Sequence, residues 1–468
     1  GTGPQDLQQA GFGSGDCVPL LVMDRRSLGL VLVLAQWLAT ACRGQAPAPE
    51  CVVTLGSYDS CASSSDLSSL KLPSKYAANV TLSHPGGSPR SLEELQADGF
   101  PFAEHMRPLG AGLAHGGALG AKFRNFRRTP LEMYWDDGSD PGVYSGVVNA
   151  MGRTATNTYA GHAFKFVLKR TGELVARFVM EEGRNLYIID PAPSDKRAFQ
   201  SNDYLEAKAE EKFLLDYYQT HGKPWLSMHN REPPVLNIWP ADYVGQTHQV
   251  VSPHGYWTDD NTQTPGSLAV NLTLVSKGPE GPRVFVIENL MSDFEADHVV
   301  ELGKQVVKPS FVGTDGGFKS KTRTSENGWL TRTRTKILDT MHSRFADVLG
   351  IDDALINSRA SAEELQVVRY EPGQQYQPHH DFSDQGTASQ RFLTLLLYIQ
   401  PPETGGFTSF PKANNGRGLR VRPPKGSGVL FYSMLPDGNG DDLSLHAGEA
   451  VHKGVKWVCN LWIWDPHR

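Results

Sequence analysis

The sequence predicts a mostly β chain with some α. The expected architecture is a double-stranded β-helix (jelly roll) with supporting helices, plus a small β-sandwich module. Two observations carry this. Five strand-like runs, at residues 367–370, 376–380, 392–399, 428–432 and 455–464, follow two helical patterns near the C-terminus. A separate stretch, 122–191, consists of short strands punctuated by turn residues. The length of 468 residues exceeds one typical core and leaves room for both.

In chain order, residues 1–46 read as upstream residues and a secretory signal starting at Met23. Arg25 and Arg26 precede the apolar run 28–38, and Ala39-Thr-Ala41 offers small residues for cleavage. The run is broken by Gln36 and falls short of the roughly 20 residues a membrane span needs, so a multi-span membrane protein is not expected. An uncleaved signal-anchor is the alternative. Residues 47–118 are rich in Ser, Gly and Pro and read as a linker.

In the module, 119–195, residues 131–135 lead through Asp136-Asp-Gly138, a hairpin-type turn, to a strand at 142–145. Further strands follow at 159–168 and 174–180. Residues 196–267 hold one helix, near 204–218, and a connector rich in Pro, His and Trp. The last domain, 268–468, opens with a strand at 283–287. A capping box, Ser292-Asp-Phe-Glu295, starts a helix to about residue 307, and a second helix covers 333–349. No internal repeat is visible.

With 39% hydrophobic and 21% charged residues the chain is a folded globular type. Its net charge is −6 and its one short basic run, 124–128, is interrupted, so nucleic acid is not an expected partner. Cys51 and Cys61 are spaced for a small looped disulfide, and Cys459 reads as a buried thiol. Asn79 and Asn271 open glycosylation sequons. These features agree with an endoplasmic reticulum or Golgi lumen.

The chemistry concentrates in Tyr370-Glu-Pro-Gly-Gln-Gln-Tyr376-Gln-Pro-His379-His380-Asp381. On an extended strand residues two apart share a face, so His379 and Asp381 converge while His380 points away. A third ligand, His446, comes from a strand distant in sequence. Two imidazoles and one carboxylate on one side of a metal match the facial arrangement of non-haem Fe(II) oxygenases, which leaves positions open for oxygen and a bidentate cosubstrate. Lys456 alternates with Trp457, Cys459, Leu461 and Ile463, which alone suffice for a core face. A lysine turned into a sheet interior needs an anion, and the distal carboxylate of a dicarboxylate supplies one.

At this point residues 283–466 resemble the catalytic domain of the prolyl 4-hydroxylase family of Fe(II)/2-oxoglutarate dioxygenases, of the plant and algal type. The resemblance runs through Val284-Phe-Val-Ile-Glu-Asn289, Arg323-Thr-Ser325 to Trp329, the Tyr370 to Asp381 stretch, Leu393 to Tyr398, Gly405-Gly-Phe-Thr408, and His446 to Trp462. It implies iron at His379, Asp381 and His446. It places the C5 carboxylate of 2-oxoglutarate on Lys456, with Tyr370 and Thr408 as hydrogen-bonding neighbours. Tyr376, Arg391, Trp462 and Glu363 match positions at the peptide groove or active-site mouth, and the segment from Arg323 to Trp329 matches a loop that closes over peptide. O2 is the second cosubstrate, ascorbate the reductant, and a proline-rich polypeptide the substrate. The chain departs from its relatives at Gly448-Glu-Ala-Val451 and at Trp464, which bears on peptide preference.

A second resemblance lies in the module. Tyr134-Trp135, Tyr144 and Asn157-Thr-Tyr-Ala-Gly161-His162-Ala-Phe164 look like the β domain of the von Hippel–Lindau protein. It implies a hydroxyproline pocket at Tyr144, Thr158, His162 and Phe164, with Asn157 and Phe164 departing from that pattern. A module that held a partly hydroxylated chain would raise its effective concentration at the catalytic groove. Two further readings stand beside prolyl hydroxylation: the same chemistry on another peptidyl residue or an amino acid, and a hydroxyproline-peptide binding protein with weak catalysis.

Overall fold

The computed structural model describes residues 80–81, 90–100, 102–103, 118–226, 233–310, 324–359, 361–382 and 391–466. The expected signal, Cys51, Cys61, Asn79 and Arg323 lie outside the described residues.

Residues 90–100, expected to be linker, carry a short helix, α1 (Leu92–Ala97), closed by a Ser91–Glu94 capping box. Leu95, 1% exposed, packs with Val275, Phe410 and Val421 of the C-terminal domain. Phe102–Ala103 then pairs with a strand of the same domain. The signal was present in the sequence, but it is embedded in a Gly- and Ser-rich stretch that hides a helix of this length.

The module is built from alternation. In β1 (Ala118–Asn125) Ala121 and Phe123 are buried, while Lys122 and Arg124 remain partly exposed. The other strands are β2 (Leu131–Trp135), β3 (Val143–Val148), β4 (Arg153–Tyr159), β5 (Ala163–Leu168), β6 (Leu174–Val179) and β7 (Leu186–Ile189). They form a three-stranded sheet, β4-β1-β7, and a four-stranded sheet, β3-β2-β5-β6. Phe123, Met133, Phe166 and Tyr187 fill the core they share. Gly138 takes φ +92° in the turn after β2, a conformation that disfavours any side chain.

Helix α2 (Asn202–His221) starts on Ser201, which accepts from the Tyr204 amide, and stops at Gly222 with φ +66°. Its buried face, Tyr204, Ala207, Leu214 and Tyr217, packs on Phe126, Leu186, Ile188 and Trp225.

The C-terminal domain begins earlier than expected. Leu236, Ile238 and Trp239 of the connector are buried, and β8 (Thr247–Ser252) is a full strand. After it come β9 (Leu268–Ser276), β10 (Val284–Glu288), α3 (Asp293–Lys304), β11 (Glu326–Leu330), α4 (Lys336–Leu349), β12 (Leu365–Tyr370) and β13 (Tyr376–His379). The other strands of the two main sheets are β14 (Arg391–Gln400), β15 (Thr408–Phe410), β16 (Leu419–Val421), β17 (Ser427–Tyr432), β18 (His446–Gly448) and β19 (Lys456–Trp464), while Thr404–Gly405 and Val451–Lys453 pair as a separate two-stranded ribbon. The larger sheet runs β8-β9-β10-β17-β14-β19-β12-β11, extended at its edges by Val80–Thr81 and Lys308–Pro309. The smaller sheet runs β13-β18-β15-β16 and ends on Phe102–Ala103.

The two sheets enclose an apolar interior of Tyr398, Phe410, Val421, Val429 and Phe431, as a jelly roll does. Helices α3 and α4 cover the outer face of the larger sheet, where Leu393, Leu395, Leu397, Cys459, Leu461 and Ile463 meet Val299, Met341 and Phe345. Burial pushes the Cys459 thiol up, which keeps it protonated. The sequon residue Asn271 sits partly exposed within β9, where its amide oxygen accepts from Gln249.

One buried ion pair ties the two helices to each other and to the loops beside them. Arg344 of α4 and Glu295 of α3 are both fully buried and meet through two contacts of 2.8 Å. Glu295 is also the capping-box residue and accepts from the Trp257 amide, while Arg344 donates to the carbonyls of His254, Gly255 and Leu290. Arg344→Met strands the Glu295 charge, and the expected loss of unfolding free energy is about 3–5 kcal/mol. Chemical denaturation of the variant measures it, and a loss under about 1 kcal/mol would contradict the assignment.

Candidate metal and cosubstrate site

The register of two short strands sets the centre of the site. Strand β13 pairs with β18 so that His379 stands opposite His446, with ring centroids 4.4 Å apart. Asp381 follows two residues after His379. Its Oδ1 lies 3.7 Å from His379 Nε2 and its Oδ2 3.7 Å from His446 Nε2. The donor atoms all fall within 4.8 Å of one another. Ligand atoms about 2.1 Å from an ion at right angles stand about 3 Å apart, so a small contraction closes this set on a metal.

The imidazoles are oriented alike. His379 Nδ1 lies 2.8 Å from the Gln377 carbonyl and His446 Nδ1 3.0 Å from the Ser444 carbonyl. A carbonyl only accepts, so each Nδ1 carries the proton and each Nε2 offers a lone pair. Burial holds the His446 imidazole below its ordinary pKa, in the neutral form that binds metal. His380 faces the other way, with Nε2 3.1 Å from the Asp442 carbonyl.

Asp381 is fixed from behind. Thr394 Oγ1 and Trp462 Nε1 both donate to its Oδ2, at 2.6 and 2.9 Å. Burial alone would raise its pKa. The neighbouring His446, Arg391 and His379 side chains, with the Thr394 hydrogen bond, instead hold the carboxyl well below the usual carboxylate range.

Lys456 enters the same space from β19, opposite Tyr370 of β12. It is 2% exposed, between the rings of Tyr398 and Tyr370 at 5.2 and 5.5 Å. Burial pushes its ammonium down to about 7, partly offset by Glu449. Thr408 Oγ1 shares a 2.7 Å hydrogen bond with Tyr398. A buried cation this depressed is poised for an anion that restores its charge.

At the mouth, Glu363 holds Arg391 through contacts of 2.6 and 3.2 Å, and the guanidinium lies 3.6 Å over the Trp462 ring. Trp464 Nε1 donates to the same Glu363 carboxylate. Tyr376 stacks on His379 at 3.7 Å. Trp329 is 49% exposed on the rim.

One cavity of about 920 Å³ gathers Tyr370, Tyr376, His379, Asp381, Arg391, Thr408, His446, Lys456, Trp462, Glu363 and Trp329. Sequence reasoning missed the role of Thr394 and the contact from Trp464 to Glu363. A threonine at an interior-facing position of the apolar strand Phe392-Leu-Thr394-Leu-Leu-Leu was the available signal for the first.

In the module, Thr158 Oγ1 and His162 Nδ1 are 3.1 Å apart, and the His162 ring meets Tyr159 and Trp135 at 5.4 and 5.5 Å. Tyr144 is 57% exposed and packs edge-on against Tyr134. Phe164 is different. It is buried in the core against Phe123, because the register sets it opposite Trp135 on the inward face.

Residues 365–464 match the 2OG-Fe(II) oxygenase superfamily. The chain is 37% identical to the probable prolyl 4-hydroxylase 3 of Arabidopsis thaliana over 204 residues, covering 39% of this chain and 69% of that protein. It is 33% identical to the probable prolyl 4-hydroxylase 9 of the same plant over 275 residues, covering 54% of this chain and 90% of the relative. Among solved structures it is similar to the viral collagen prolyl hydroxylase of Paramecium bursaria Chlorella virus-1 in its 2OG complex. That match has 28% identity, covers 39% of this chain and 95% of the viral one, and has a TM-score of 0.31. With its iron-type triad and buried lysine in one cavity, the chain belongs to the prolyl 4-hydroxylase family of 2OG-Fe(II) oxygenases.

Proposed function

We propose that the chain hydroxylates proline residues of polypeptides in the secretory pathway, using Fe(II), 2-oxoglutarate and O2. The observation that carries this is the convergence of His379, Asp381, His446 and Lys456 on one cavity whose mouth bears Arg391, Glu363 and Trp462. When bound, iron supplies the oxidising chemistry, with 2-oxoglutarate decarboxylated to succinate and ascorbate keeping the metal reduced.

The chain's own residues hold and orient. His379, Asp381 and His446 offer three ligands on one side. Lys456 takes the distal carboxylate of 2-oxoglutarate, with the Tyr370 and Thr408 hydroxyls beside it. Tyr376, Trp462 and Trp329 present aromatic faces suited to an extended proline-rich chain, and Arg391 donates to its carbonyls. The segment containing Arg323 is assigned to closure over the peptide by the family resemblance alone. The luminal setting rests on the Met23 signal reading and the sequons. No helix among the described residues is long and apolar enough to cross a membrane.

The module is assigned to holding hydroxyproline-containing chains. Thr158, His162, Tyr144 and their neighbour Trp135 support it, while Phe164 serves the core beneath.

Three outcomes are expected. Incubation with Fe(II), 2-oxoglutarate, ascorbate and proline-rich peptides yields 4-hydroxyproline, read by mass spectrometry. His446→Ala abolishes it, and succinate without peptide oxidation would defeat the prolyl assignment. Second, the KM for 2-oxoglutarate rises with pH. The Lys456 ammonium titrates at about 7 in the free protein, so above that pH cosubstrate binding must also take up a proton, and affinity falls by up to about tenfold per pH unit. A flat KM from pH 6.5 to 8.5 would count against Lys456 as the carboxylate anchor. Third, the full chain carrying His446→Ala binds hydroxyproline peptides more tightly than proline peptides by calorimetry, and a further His162→Ala removes the difference. Equal affinity for both peptides sinks the module's assignment.

A further inference from the structure

We infer that helix α2 and the strap after it position the iron ligand His446, through a hydrogen-bonded clamp on the loop that carries it. The inference rests on the metal-site assignment above and extends it to residues outside the catalytic domain.

The clamp centres on Asn439, which is 1% exposed. Its Nδ2 donates to the Tyr217 hydroxyl at 3.2 Å and to the Pro224 carbonyl at 3.0 Å, and its Oδ1 accepts from the Leu226 amide at 2.6 Å. Tyr217, itself buried on α2, donates to Asp437 Oδ2 at 2.7 Å. Asp437 Oδ1 in turn accepts from the Asn439 amide. The side-chain amide of one loop residue therefore faces three partners from the helix and its strap.

Two residues along the backbone from Asn439, Asp441 starts a run of contacts that reaches the ligand. The Asp441 amide donates to Ser433, and the Asp441 carbonyl accepts both the amide and the hydroxyl of Ser444, at 3.0 and 2.7 Å. The Ser444 carbonyl is the acceptor that fixes the His446 Nδ1 proton at 3.0 Å. The same loop also braces the other ligand strand from outside. His380 Nε2 lies 3.1 Å from the Asp442 carbonyl, and Gly440 is pressed so closely to Phe382, the residue after Asp381, that an added Cβ would come within 2.8 Å of its ring.

Groups that orient a metal-binding imidazole commonly set metal affinity by about 10- to 100-fold. Tyr217 and Asn439 act one step further out, so a smaller effect is expected. Linkage also requires reciprocity: if the clamp favours metal binding, metal binding tightens the clamp.

The test uses the full chain and Co(II), whose visible absorption reports coordination without turnover. Tyr217→Phe removes one hydroxyl and keeps the ring. The expected result is about 3- to 10-fold weaker Co(II) binding and an altered absorption envelope in a protein that remains folded. Asn439→Ser gives a larger loss. In the unsubstituted chain, Co(II) slows amide exchange at residues 217–226 as well as 433–446. Unchanged Co(II) affinity and spectrum in a folded Tyr217→Phe protein overturn the inference. If the unsubstituted chain does not bind Co(II), the metal-site reading fails and takes this inference with it.

Discussion

The pairing of β14 with β19 is the constraint on which the rest of the structure depends. Its register sets Thr394 opposite Trp462, and both donate to the same oxygen of Asp381. The opposite faces of the two strands carry the leucines, Cys459 and Ile463 that seat the covering helices. A one-residue slip would turn every one of these side chains to the wrong face. Core and site are thus specified by one hydrogen-bond ladder, and apolar packing on one side holds polar geometry on the other.

The site separates two demands on charge. Around Asp381, cations and hydrogen bonds outweigh burial, so the carboxylate stays ionised. Around Lys456, burial outweighs its neighbours, so the ammonium is weakened until a second anion arrives. One pocket therefore holds a permanent negative ligand and a conditional positive one. An anion placed against Lys456 would restore its charge.

The centre of the site was legible because it obeys the two-residue period of a strand. His379, Asp381 and Lys456 are polar residues at alternating positions, and the choice of His379 over His380 needs no other information. Much of its support was not legible. Arg344 meets Glu295 from 49 positions away, and Asn439 meets Tyr217 from 222 away. Neither has a local pattern, because side-chain partners across packed elements depend on register and tilt that periodicity does not encode. The helix at Leu92–Ala97 was missed for another reason: it is under two turns long, and its core-facing side is only Leu95 and the partly buried Leu92. Phe164, matched by motif to a pocket position, is turned inward by strand register and packs on Phe123.

The pairing of Phe102–Ala103 with β16 and of Val80–Thr81 with β8 means that the chain enters the jelly roll before it forms the sandwich, then returns to finish it. The sandwich is therefore nested within the barrel's sequence rather than appended to it. During synthesis the inner unit is complete while the outer one still waits for β14 and β19. The edge contacts made by residues 80–103 must wait for partners made long after them, at 247–252 and 419–421. Both ends of the sandwich are tethered, so it cannot drift from the barrel as a bead on a single linker would, and no single cut separates the two as intact pieces.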